Sequence, residues 1–313
     1  MKAKTIKAVL LKKVDEWLDS IDDVAVREMA TKDVMVTGGC IASMLLNEPV
    51  NDFDLYFRTY ATTKAVAEYY VKKFSPAPRR GIPCNISVYD ELGRIKIVIK
   101  SSGVVSEAGN DKPYEYFESR PEGEASDYIS EVMGDAGEIE DTYQSTEVLA
   151  LQTEDDGKPK YRPVFMSTNA ITLSHKVQIV LRFYGEPDDI HANYDFVHCT
   201  NYWLRRDRSL VLRQDALEAL LARELRYVGS KYPVCSVMRL RKFLRRGWQI
   251  NAGQILKMCM QISVLDLSDP AILEDQLTGV DSAYFLEVIQ KVKEKDQTKV
   301  NAAYLVEIID RMF

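Results

Sequence analysis

The chain has 313 residues, 46% apolar and 28% charged, which is the make-up of a globular protein with room for two domains. No apolar run reaches the roughly eighteen residues of a membrane-spanning helix, and the early AVLL run is too short for the core of a signal peptide. Five scattered cysteines without a CxxC, and only three histidines, argue against a zinc site or a disulfide framework and for a reducing, cytoplasmic setting.

The net charge of −6 conceals an asymmetry. Residues 107–156 hold sixteen acidic and two basic side chains, while residues 205–257 hold thirteen basic and four acidic. Local charge therefore points towards nucleic acid where the whole-chain value does not.

In chain order, residues 4–30 carry helical periodicity, with Ile6, Val9, Leu10, Val14 and Leu18 near one face. DVMVTGG predicts a short buried strand entering a glycine turn, CIASMLLN a short helix, and the alternating DFDLYFR a second strand. TTKAVAEYYVKKF predicts a helix with a threonine available to cap it. CNISVYD and RIKIVIKS form a candidate hairpin.

Residues 105–158 are acidic and poor in aliphatics, and predict an insertion or long loop. Strand-like character resumes at RPVFMSTNAITLS and KVQIVLRFYG, and EPDDIHANY predicts a short helix. Beyond Arg205 the pattern is mainly helical, through DALEALLARELRYVG, SVMRLRKFLRRGW and AGQILKMCMQISVL to SAYFLEVIQKVKEK and NAAYLVEIIDRMF. The expected architecture is α+β: an N-terminal helix (1–32), a head of short mixed strands with helices (33–204, the acidic insertion at about 105–158 inside it), and a helical neck and body (205–313).

Chemistry concentrates in GGCIASMLLNEPVNDFDL, residues 38–55. Carboxylates at i and i+2 of a strand point to the same side, so Asp52 and Asp54 can share a hard cation such as Mg²⁺. Glycines between a strand and a helix let backbone N–H groups approach a phosphate, and the helix start favours an anion. Gly38 and Gly39 for a triphosphate, with Asp52 and Asp54 for metal, make a workable nucleotidyl-transfer site. Either half alone is more often a turn or a helix cap; the ordered combination is specific.

This stretch resembles the head signature of the DNA polymerase β-like nucleotidyltransferase superfamily, closest to the branch of tRNA CCA-adding enzymes and bacterial poly(A) polymerases. That pattern is roughly GGxVRDxLLGxxxxDxDL, met here by Gly38, Gly39, Ile41, Leu45, Leu46, Asn47, Asp52, Asp54 and Leu55, with Ala42 and Ser43 where the family has Arg-Asp. NYDFVHCTNYW resembles the family's RRDFTxNA segment at Asp195 and Phe196 only. The basic stretch ending in RGWQI resembles its neck, with Arg239, Lys242, Phe243, Arg246, Gly247, Trp248 and Ile250 in register. The family's base-reading residues fall on Tyr232, Pro233 and Ser236, none of which matches.

The resemblance implies a two-metal Mg²⁺ site, an NTP substrate and transfer of a nucleoside monophosphate to an RNA 3′ end, tRNA-like, with pyrophosphate leaving. It implies Asp52 and Asp54 as catalytic metal ligands; Gln178 stands where the family's third carboxylate is sought, so either Asp195, the preferred choice, supplies the third acid or the site works with two. Gly38, Gly39, Ser43, Arg182, Arg239 and Lys242 are the candidate nucleotide contacts, Arg182 as a cation at a strand end that a surface arginine explains equally well, and Arg241, Arg245 and Arg246, on the basic helix, are the candidate nucleic-acid contacts. A solvated basic face is the plainer account of the arginines, with Leu240, Phe243 and Leu244 taken for the core. Trp203, Trp248 and Tyr202 are core candidates before they are base-stacking ones. Two further readings share the motif: transfer to a protein or small molecule, and a nucleotidyltransferase fold that binds without catalysing.

Overall fold

The structure is a computed structural model that describes residues 1–74, 84–91, 93–101, 160–166 and 169–277. The acidic insertion and the last two helical segments anticipated from sequence lie outside the described residues. The described residues divide into two compact units. One is drawn from the described residues of 1–101, 160–191 and 199–214, the other from 192–198 and 215–277.

The helical N-terminus is two helices, α1 (Ala3–Asp19) and α2 (Val24–Asp33), rather than one continuous stretch. Asp23 breaks it, adopting an extended backbone and accepting from the Val26 N–H as a helix cap. Helix α1 buries Ile6, Leu10, Val14, Trp17 and Leu18, the face its spacing predicted. Trp17 is fully buried, and its indole N–H donates to the Tyr70 hydroxyl at 2.9 Å, so the polar edge of the ring is satisfied within the core.

The remaining elements of the first unit are β1 (Val34–Thr37), α3 (Gly39–Leu46), β2 (Phe53–Phe57), α4 (Tyr60–Phe74), β3 (Cys84–Glu91), β4 (Arg94–Ser101), β5 (Pro163–Met166), β6 (Ala170–Leu173), β7 (Val177–Val180), α5 (Pro187–His191), β8 (Tyr202–Leu204) and β9 (Ser209–Val211). Seven strands form one sheet in the order β5-β6-β7-β2-β1-β8-β9. Only β2 and β7 pair in parallel, so the sheet is mixed, as the α+β reading requires. The hairpin predicted from CNISVYD and RIKIVIKS is the antiparallel pair β3-β4. Thr59 caps α4, its hydroxyl accepting from the Thr62 N–H.

Alternation along the strands sorts the sheet into two faces. Val34, Val36, Phe53, Leu55, Phe57, Val177, Ile179, Ile171 and Trp203 belong to the hydrophobic core with α1 and α4. Their neighbours Thr37, Asp54, Gln178 and Thr172 project from the opposite face. Chemistry and core are therefore separated by the strand period of two.

The second unit contains α6 (Gln214–Ala222), α7 (Pro233–Arg245), α8 (Ala252–Ile262) and α9 (Pro270–Leu277), the last of which the sequence reading did not anticipate. Helix α6 stops at Ala222 although the periodicity runs on. Arg223 takes the left-handed conformation, with φ 49, and Leu225 N–H donates to the Gln249 carbonyl and Gln249 N–H to the Arg223 carbonyl, bridging Glu224 to Gln249. Phe196, His198, Tyr227, Phe243 and Trp248 form an aromatic cluster, with His198 and Trp248 centroids 4.2 Å apart. Trp203 and Trp248 are both buried, the core role preferred for them.

Candidate active site

The strand β1 ends at Thr37, and the chain turns through Gly38 with φ 101 and ψ −153, a backbone conformation essentially restricted to glycine. Three bonds hold the turn. Gly38 N–H donates to the Cys199 carbonyl at 3.2 Å, the Thr37 hydroxyl donates to the Asn201 carbonyl at 2.9 Å, and His191 Nε2 lies 2.8 Å from the same hydroxyl. With the hydroxyl proton directed at Asn201, His191 is the Nε2–H tautomer and donates to Thr37. Burial, helped by the Arg213 guanidinium, pushes the His191 pKa down to about 4, so the imidazole is neutral at pH 7.

Gly38 therefore spends its N–H inside the protein, and Gly39 is the residue left at the surface. Gly39 opens α3, and no atom lies within 4 Å of where its Cβ would stand. N–H groups of a first helical turn have no partner within the helix, so this exposed start suits an anion. Cys40, Ile41 and Met44 anchor α3 in the core, and Ser43, also buried, lies one turn further on. Asn47 in the left-handed conformation, with φ 57, ends the helix.

Asp52 is exposed immediately before β2, and Asp54 is half-buried within it. The parallel register sets Asp54 beside Gln178 of β7, and Gln178 beside Thr172 of β6. One residue beyond the last paired position of β1 and β2, the antiparallel register brings Thr37 opposite Asp54. Burial holds the Cys40 thiol pKa well above the ordinary value, and the charges of Asp54 and then Asp52 raise it further. The glycine turn and the Asp-x-Asp pair, twelve residues apart in sequence, are thus brought together in one unit.

The donor atoms along this row are oxygens: two carboxylates, the Gln178 amide and the Thr172 hydroxyl. That set fits a hard cation such as Mg²⁺. Cys40, kept protonated, offers no thiolate to a softer metal. Among the described residues no three His, Cys, Asp or Glu side chains cluster to hold a metal, so a cation here would rest on two acids supplemented by neutral oxygens.

Arg182 follows β7 in the first unit, half-buried, its backbone N–H donating to the Asn169 carbonyl at 3.2 Å. Asp195 lies in the second unit, where one carboxylate oxygen accepts from Ser236 at 2.7 Å and the other from Arg239 at 2.5 Å. Arg239 and Asp195 are thus brought together, but as each other's partners. Lys242, Arg241 and Arg245 are exposed on α7, and Arg246 is half-buried at its C-cap. Leu244, taken for the core, is instead 47% exposed. It shares an i, i+4, i+7 stripe with Val237 and Arg241, so the outer face of α7 is mixed basic and apolar.

Sequence reasoning missed Thr37 and His191 as supports of the turn, and Ser236 as a partner of Asp195. Only Thr37 carried a signal, as a polar residue closing an otherwise apolar strand just before the glycines.

Residues 8–223 match the model of a family described as "Gad2: Gabija anti-defense 2 family protein". No curated protein matches the chain significantly. Among solved structures, it is similar to a Thermotoga maritima CCA-adding enzyme complexed with tRNA at 11% identity and TM-score 0.34, covering 96% of this chain and 53% of that one. A Bacillus stearothermophilus CCA-adding enzyme in complex with CTP matches at 12% identity and TM-score 0.36, covering 92% of this chain and 52% of that one. A tRNA nucleotidyltransferase complexed with a primer tRNA and an incoming ATP analog matches at 13% identity and TM-score 0.35, covering 86% and 60%. The chain spans about half the length of the solved structures it matches.

Proposed function

The chain belongs to the Gabija anti-defense 2 family, and we propose that it works as a Mg²⁺-dependent nucleotidyltransferase. One observation carries the reading: the strand register sets Asp54 across from Thr37, the residue before the glycine turn that opens α3 at exposed Gly39, within a single unit. Carboxylates for a cation and free backbone N–H groups for an anion are what an NTP with its metal needs on its two sides.

In this reading the α3 start, with Gly39 leading it and Gly38 fixing the turn, takes the triphosphate, and Asp52 and Asp54 hold the cation. Bound Mg²⁺ supplies a lowered pKa for the attacking hydroxyl and charge neutralisation on the leaving pyrophosphate. The chain's own work is to orient the triphosphate and hold the two carboxylates at a fixed strand spacing. Transfer of a nucleoside monophosphate follows, with the phosphorus–oxygen bond to pyrophosphate broken as the bond to the acceptor oxygen forms.

The preferred acceptor is an RNA 3′ end, because exposed Arg241, Lys242 and Arg245 offer phosphate contacts on α7. The family description favours a second acceptor, a component of the Gabija defence system. A single experiment separates them: labelled NTPs with Mg²⁺, total RNA and defence-system protein, beside an Asp52→Ala/Asp54→Ala variant. Label on RNA that vanishes in the variant supports the first acceptor, and label on protein supports the second. Equal behaviour of wild type and variant would reduce the chain to a binding module and sink the catalytic reading.

A further inference from the structure

The row of residues across the sheet beside the acids is not purely acidic. Asp54 pairs with Gln178 on the parallel strand β7, and Gln178 pairs with Thr172 on β6. Paired residues on adjacent strands share a face and lie about 5 Å apart. Val177 and Ile179, on either side of Gln178, are buried in the core, so the amide projects from the face that carries Asp54. At this half-exposed position the glutamine places a neutral carbonyl oxygen beside a carboxylate, within the reach of a shared cation.

We propose that Gln178 is a cation-facing ligand of the same site, whose neutral amide keeps the protein's charge there at two carboxylates. This rests on the reading of Asp52 and Asp54 as metal ligands. Affinity of oxygen sites for divalent cations follows the count of charged ligands. With two acids and an amide, the site holds a free cation weakly, and the triphosphate oxygens supply the missing negative charge. The cation is then loaded together with the nucleotide rather than ahead of it.

Mn²⁺ titration followed by electron paramagnetic resonance, with and without a non-hydrolysable NTP, tests this without reference to turnover. The expected result is weak binding to wild type that is lost in Asp54→Asn and strengthened by the nucleotide. Gln178→Glu should tighten nucleotide-free binding about tenfold by adding a charged ligand, and Gln178→Leu should weaken nucleotide-bound Mn²⁺ about threefold. Circular dichroism establishes that each variant is folded; should Gln178→Glu fail to fold, the loss in Gln178→Leu decides.

Asp54-dependent Mn²⁺ binding that neither variant alters overturns the assignment of Gln178 and leaves the transfer reading standing. A change in Gln178→Glu alone also overturns it, because the native amide then contributes nothing. Absence of Asp54-dependent binding even with nucleotide overturns both together.

Discussion

His191 Nε2 lies 2.8 Å from Thr37 Oγ1, both side chains buried, and the hydroxyl passes the chain of bonds on to the Asn201 carbonyl. The contact joins the helix α5 to the last residue of β1, one position before the glycine turn. Thr37→Val keeps the shape but leaves the imidazole N–H and the Asn201 carbonyl without this partner. An unsatisfied buried polar group costs roughly 1–3 kcal/mol, so Thr37→Val should lower the unfolding free energy by about 2 kcal/mol. Thr37→Ser should recover most of it. Urea denaturation of the three proteins is the measurement, with unchanged stability of Thr37→Val the result that removes the bond from the account.

Acid sensitivity follows from the same burial. His191 titrates near 4 and His198 near 3, both depressed chiefly by burial from an ordinary 6.5, with Arg213 and Arg246 adding to the shift. Below pH 6.5 the unfolded chain takes up protons that the folded chain refuses. The stability contributed by each neutral histidine is therefore complete above pH 6.5. It is lost between 6.5 and the folded value, at up to about 1.4 kcal/mol per pH unit per histidine. Urea midpoints should fall steadily from pH 6.5 to 4.5, and His191→Gln should flatten part of that slope. A wild-type midpoint constant over this range would contradict the buried neutral state.

The strand–glycine–helix–strand order of residues 34–57 was legible because the cues are local: an apolar tetrad, two glycines, a short apolar run, then alternation. The pairing of Asp54 with Gln178 was not, since register between strands more than a hundred residues apart depends on strand order rather than on either sequence. Helix α6 ends before its helical period does because the long-range bridge of Glu224 to Gln249 overrides local propensity. Hydrophobicity alone places Leu244 inward, whereas it lies on the outward stripe of its i−7 and i−3 neighbours, Val237 and Arg241.

Asp195 is held from two positions of one helical face, Ser236 and Arg239, three residues apart on α7. Its side chain is 11% exposed against 34% for Arg239, so the pair is only partly screened by solvent. Arg239→Ala leaves a largely buried carboxylate with one donor and should cost about 1–3 kcal/mol, below the range for a fully buried pair. Combined with Asp195→Ala, the loss should fall short of the sum of the single changes by about 1 kcal/mol. Strict additivity in the double-mutant cycle would mean that the bond contributes nothing to stability.

Adjacent glycines at the turn are expected to respond in opposite ways. At Gly38, φ 101 with ψ −153 is closed to a residue with a Cβ, so Gly38→Ala should cost roughly 1–3 kcal/mol. Gly39 already has the helical position and open space, so Gly39→Ala should leave stability unchanged or raise it by up to about 1 kcal/mol. Its effect should appear in substrate binding instead, because the added methyl stands where the triphosphate would lie against the start of α3. A thermal melt and an NTP titration on the two variants separate the roles. Gly38→Ala should lower the melting temperature, while Gly39→Ala should melt like wild type and bind NTP more weakly. Wild-type NTP affinity in a folded Gly39→Ala protein would move the triphosphate away from this helix start.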